Sequence, residues 1–144
     1  MKEDILLWVL LFFGGVLGGI AVLLSAWGAH GLEDLFITFP RDRFSFNYAT
    51  NFQLFHALLL VSLLFFMISG RTRSILLLVS SIFLILGILL FSFPIYFRII
   101  GGYSELSWLT PIGGICFFVA WSLIPVLSIS KIITNRQTRS KSEL

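Results

Sequence analysis

Charge is what this sequence lacks most. Asp, Glu, Lys and Arg make up 12% of its 144 residues, against roughly 25% in an average soluble domain. That leaves too little polar surface to cover a globule of this size, so lipid must be the solvent for much of the chain. Cysteine is nearly absent. The single Cys116 excludes a disulfide framework within the chain, and its apolar neighbourhood suits a small core hydrophobe better than a reactive thiol. There are two histidines, His30 and His56. With no third ligand in view they do not make a catalytic zinc site, and neither a metal nor a haem or other cofactor is expected. No Walker loop, nucleotide fingerprint, metalloprotease motif or G-x-S-x-G occurs. No catalytic residue is assigned, and a non-enzyme is expected.

What the chain does have is long apolar runs, with a mean hydropathy of +1.00. About 20 apolar residues cross a bilayer as a helix. Ile5–Trp27, Phe52–Ser69, Ser74–Phe97 and Leu109–Ser130 meet that length, and none holds Asp, Glu, Lys or Arg. A barrel would need alternating polarity, which runs such as Ile82-Phe83-Leu84-Ile85-Leu86 do not show. The fold expected is an all-α bundle of four transmembrane helices, a single domain over residues 1–130 with a basic tail over 131–144. The first span is expected to stay on the protein as a helix. Glu3 and Asp4 follow Lys2 at once, and its apolar run is longer than a signal-peptide core.

Four spans place the two termini and the middle loop on one side. Seven basic residues lie there (Lys2, Arg71, Arg73, Lys131, Arg136, Arg139, Lys141) and three on the other (Arg41, Arg43, Arg98), which accounts for all ten. Basic residues accumulate in the cytoplasm, so cytoplasmic termini and a location in the plasma membrane, the inner membrane of a bacterium, are expected. The tail from Lys131 reads either as a disordered topology signal or as a segment lying on anionic headgroups.

The middle loop, Gly70-Arg71-Thr72-Arg73, is short enough to make the second and third helices antiparallel neighbours. The first connection mixes Leu35, Phe36, Ile37, Phe39, Phe44, Phe46 and Tyr48 with charges. That mixture predicts an amphipathic segment in the headgroup zone between helices 1 and 2. Pro40 predicts a helix start, with the helix running on into the second span. Trp27 and Trp108 fall where an aromatic belt is expected.

Polar residues concentrate in four stretches: Gly28-Ala29-His30-Gly31, Asn51 to Ala57, Ser92 to Tyr96, and Thr110 to Gly114. Helices 1 and 3 end, and helices 2 and 4 begin, on the side away from the termini, so all four stretches gather at that far end. Gln53 and His56 are three apart and share a helix face. A polar group at that depth faces the bundle interior and has a partner. His30, Gln53, His56, Ser92, Tyr96 and Thr110 are therefore the candidate pocket, either as a binding site or as a hydrogen-bond network that fixes how the helices meet. Gly14, Gly15, Gly18 and Gly19 carry two overlapping G-x-x-x-G spacings, the small-residue pattern of close helix contact. Together with Gly113 and Gly114 they are the candidate packing residues, within the chain or between copies. Pro94 predicts a kink in helix 3.

These stretches carry a family resemblance. Gly28-Ala29-His30-Gly31-Leu32, Phe52-Gln53-Leu54-Phe55-His56-Ala57-Leu58, Gly87 through Ser92 to Tyr96, and Thr110-Pro111-Ile112-Gly113-Gly114 leading to Trp121 stand in one order over about residues 10 to 125. In that order they resemble the YgdD-like small inner-membrane proteins, a domain of unknown function whose animal members are small transmembrane proteins. Asn51-Phe52 stands where the family has a basic residue and a tyrosine, Phe93-Pro94 where it has Gly-Ser, and Ala120 where it has glycine. The resemblance implies four helices in a membrane and no established activity. Two functions are weighed. One is a non-enzymatic scaffold or accessory subunit, self-associating or joined to a larger membrane complex, with the lipid bilayer and no nucleic acid among its partners. The other is a small transporter or channel with a ligand or proton site at the far end.

Overall fold

The structure, a computed structural model, describes residues 2–70 and 74–142, and the side chains of 5–70 and 74–137 within them. The expected middle connection falls largely on Arg71, Thr72 and Arg73, outside the described residues. The described residues form five helices, in order α1 (Lys2–His30), α2 (Glu33–Thr38), α3 (Pro40–Ile68), α4 (Ile75–Gly101) and α5 (Leu109–Ser142). The described residues contain no strand. Four of the helices, all but α2, are long and apolar enough to span a membrane.

Local chemistry sets the boundaries. Pro40 opens α3, where its missing N–H costs nothing. Ser74 caps α4 by accepting from the Leu76 N–H at 3.3 Å. Gly102, at φ 73°, ends α4. Its N–H returns to the Arg98 carbonyl at 3.1 Å, and the next N–H, of Tyr103, reaches Phe97 O at 3.3 Å. Only glycine enters that left-handed region freely. α5 continues as one helix to Ser142, so the described part of the basic tail prolongs the last helix.

The four long helices lie in the order α1–α3–α4–α5, with α3 and α4 as the inner pair. Among the described residues α1 and α5 do not pack extensively on each other. The core is correspondingly a strip. Leu17, Ala57, Leu60, Leu64, Leu84, Ile88, Phe117 and Ala120 fill its middle. At the far end Phe36, Phe46, Ala49, Tyr96 and Ile99 form a second cluster. Phe36 brings α2 into this cluster, while Ile37, Phe39 and Phe44 stay exposed. Outward faces carry Phe12, Leu23, Phe55, Phe65 and Phe118, which lipid can cover and water could not.

Lipid tails are as apolar as leucine, so close contact and hydrogen bonds, not dehydration, hold such helices together. Glycine supplies the contact. A β-carbon on Gly14 would stand 3.1 Å from Val61, one on Gly18 3.7 Å from Ala57, and one on Gly28 2.5 Å from the Phe46 ring. The α1–α3 seam is therefore tight at Gly28 and Gly14, while Gly18 faces α3 with room for a methyl group. Gly15 and Gly19 meet nothing within 4 Å. The glycine run is thus split between an inward and an outward face. On the other side of the strip, Gly87 lies under the Phe117 ring and Gly113 against the backbone of Leu90 and Phe91. α4 continues through Pro94. Pro94 has no N–H for the Leu90 carbonyl, so α5 meets α4 where its ladder is interrupted.

Candidate functional site

Gln53 is fully buried and joins three helices. Its Nε2 donates to Leu17 O of α1 at 2.7 Å, and its Oε1 accepts from the Tyr96 hydroxyl of α4 at 2.9 Å. A helical carbonyl has a second lone pair after its i+4 bond, which is why Leu17 O can accept. Ser92 Oγ, one turn along α4 from Tyr96, donates to Ala49 O of α3 at 2.8 Å. Towards the opposite end of α4, Ser80 Oγ donates to Ala120 O of α5 at 2.9 Å. The Phe46 ring lies against Tyr96, with centroids 5.4 Å apart. Each of these polar groups is paired across a helix seam, as lipid depth requires.

His56 serves a different seam. Three residues on from Gln53, it is turned about 60° around α3 and faces α5. Its Nδ1 lies 2.7 Å from Phe52 O, and its Nε2 lies 3.2 Å from Trp121 Nε1. The ring stacks on Phe117 with centroids 3.6 Å apart and planes at 14°. A carbonyl can only accept and an indole N–H can only donate. The partners therefore assign the neutral ring protonated at Nδ1.

Two grooves border these contacts. One, of about 640 Å³, lies between α3 and α5 and is walled by Phe52, Phe55, Phe117, Phe118 and Trp121 beside His56. The other, of about 510 Å³, lies at the far end between α3, α4 and the start of α5, lined in part by Tyr48, Arg98, Ser107 and Thr110. Arg98 Nη1 also binds Asp42 Oδ1 at 2.8 Å, tying the end of α4 to the start of α3. Among the described residues no three His, Cys, Asp or Glu side chains gather as a metal-binding group.

The six residues proposed as one pocket do not meet in one place. Gln53 and Tyr96 bond directly, with Ser92 adjoining. His56 turns to α5, Thr110 lines the far-end groove, and His30 is exposed at the end of α1. His30 shares no hydrogen bond with the others. The residues sequence reasoning missed are Phe117, Trp121 and Ser80. Trp121 was detectable: an indole N–H inside a span needs an acceptor. Trp121→Phe keeps most of the ring and removes that donor. Its expected cost is about 0.6 kcal/mol and no more than about 1.7, the average and the upper end for hydrogen bonds between membrane helices, read from an unfolding equilibrium in mixed micelles. The His56 ring NMR signals should shift with it; unmoved signals would mean the two side chains do not touch.

Residues 24–114 match the model of a family described as protein of unknown function (DUF423). A UPF0382 membrane protein of Staphylococcus epidermidis is 33% identical over 123 residues, covering 84% of this chain and 95% of that protein. The UPF0382 inner membrane protein YgdD of Escherichia coli is 32% identical over 120 residues, covering 83% of this chain and 88% of that one. No solved structure matches the chain.

Proposed function

The chain belongs to the DUF423 family of membrane proteins of unknown function, and we propose that it acts as a non-enzymatic scaffold or accessory subunit that packs with itself or with a larger membrane complex. The observation that supports this is the use of the buried polar groups. Gln53, Tyr96, Ser92, Ser80 and His56 are each spent on a seam between helices of the same chain, which is what building a rigid frame requires and what a transport site does not. In this reading the termini are cytoplasmic, following the basic residues. Ile37, Phe39 and Phe44 rest in the headgroup zone of the opposite leaflet.

The outward face of α1 is where assembly is tested. Gly15 and Gly19 are open, and Trp8, Leu11, Phe12 and Val16 border Gly15. Gly15→Leu together with Gly19→Leu should reduce an assembly to single chains in native mass spectrometry, with helical content unchanged. Gly18→Leu is unsuitable for this purpose, because Gly18 faces Ala57 of its own chain, 3.7 Å from where its β-carbon would stand. An assembly mass that survives the double change would remove this face from the interface.

The alternative, a small transporter or channel with a ligand or proton site at the far end, rests on the far-end groove and its hydroxyls. It requires that Thr110→Val, on the wall of that groove, abolish a ligand- or pH-dependent signal while the fold persists. A signal that survives this change would remove the far-end groove as its site.

A further inference from the structure

We propose that the groove between α3, α4 and α5 at the far end seats one phospholipid of the leaflet opposite the termini, its phosphodiester held by Arg98 and by the hydroxyls of Ser107 and Thr110. This does not rest on the assembly reading above. The groove is graded in polarity along its length. On α4 its wall is Phe91, Ile95 and Arg98, spaced four and three residues apart and so on one face. Seven residues at 1.5 Å each put about 10 Å between Phe91 and Arg98. α3 runs the opposite way and repeats the order. Phe52 stacks on Phe91 at 4.9 Å on the groove floor, Tyr48 stands one turn on near the level of Ile95, and Ser45 reaches the level of Arg98. Two antiparallel helices thus agree on an apolar floor and a polar mouth.

The mouth is built for an acceptor. The Ser107 hydroxyl is buried and has no hydrogen-bond partner among the described residues, a state rare enough in proteins to call for an explanation. Thr110 shares the same wall. Arg98 gives Nη1 to Asp42 at 2.8 Å, and a guanidinium carries five N–H donors in a rigid fork suited to phosphate oxygens. Asp42 offsets part of the charge. A singly charged phosphodiester therefore fits the mouth better than a divalent free phosphate. A hydrocarbon chain alone would leave Ser107 unpaired, and a small water-soluble anion would leave the Phe52–Phe91 floor unused. An amphiphile with a phosphate head satisfies both ends.

The test is native mass spectrometry of the full chain released from nanodiscs of mixed phosphatidylglycerol and phosphatidylethanolamine. One phospholipid mass per chain is expected. Arg98→Gln should lower its occupancy roughly tenfold, the worth of one hydrogen bond to a charged group. Ser107→Ala with Thr110→Val should lower it by a similar factor. Neither hydroxyl is bonded to another described residue, so this pair keeps the test open should Arg98→Gln unsettle the fold. Trp121→Phe, in the other groove, should leave occupancy unchanged. Three results would overturn the proposal. Equal retention of a galactosyl diglyceride with the same acyl chains would remove the phosphate. Displacement of the lipid by millimolar inorganic phosphate would make this a free-anion site. Unchanged occupancy in both polar variants would place the lipid elsewhere.

Discussion

Gly113→Ala is expected to drive α4 and α5 apart and to be the most damaging single-methyl change in the protein. The added β-carbon would meet the backbone of Leu90 and Phe91, at 2.7 Å from Leu90 C and 2.8 Å from Phe91 Cα. A crowded side chain can change rotamer, but crowded backbone can only move with its helix. Overpacking of this kind costs about 1–3 kcal/mol, and more where nothing can yield. At Gly113 the upper part of that range is expected. Gly114 is the control. A β-carbon there meets nothing within 4 Å, so Gly114→Ala should lie within about 0.5 kcal/mol of the parent and gain slightly from helix propensity. The comparison is the unfolding midpoint of each variant in the same detergent. Equal midpoints would mean that α5 does not approach α4 at Gly113.

Gln53→Ala is the second large effect. It removes the donor to Leu17 O and the acceptor for Tyr96 OH together, and it opens a cavity where three helices meet. Interhelical hydrogen bonds in membranes average about 0.6 kcal/mol and reach about 1.7. A buried truncation adds a cavity cost of a few kcal/mol. A total near 3 kcal/mol is expected, against about 1 kcal/mol or less for Tyr96→Phe, which removes one bond and almost no volume. The double variant discriminates further. Gln53→Ala should cost measurably less in the Tyr96→Phe background, because the Tyr96 hydroxyl is no longer stranded. Full additivity of the two changes would show that the residues do not interact.

The two variants act on opposite sides of the α1–α3–α4–α5 row. Gly113 serves the α4–α5 seam by steric permission. Gln53 serves α1–α3–α4 by hydrogen bonding. Lipid gives neither seam a hydrophobic drive, so the fold depends on a few positions where backbones come close or polar groups pair. The same reasoning explains why the outward phenylalanines can be so exposed. Phe55 is 67% and Phe118 73% exposed, and they lose nothing by facing acyl chains.

The sequence alone determined the number of spans, because apolar length and the lack of charge are properties of each segment by itself. The far-end position of the four polar stretches followed from counting spans. Pro40 marked the start of α3, and the resemblance carried by Gly28 to Leu32, Phe52 to Leu58 and Thr110 to Gly114 is matched by the family model over residues 24–114. Tertiary structure alone decided which neighbour each residue meets. Gln53 and His56 share a face by spacing, yet one bonds to α1 and α4 and the other to α5. Gly14 and Gly18 turn inward while Gly15 and Gly19 turn out. His30 stays apart from the residues it was grouped with. The physical reason is that hydropathy is summed along one helix, whereas a partner depends on rotation and crossing between two. In a chain apolar on nearly every side, no contrast between wet and dry faces records that rotation.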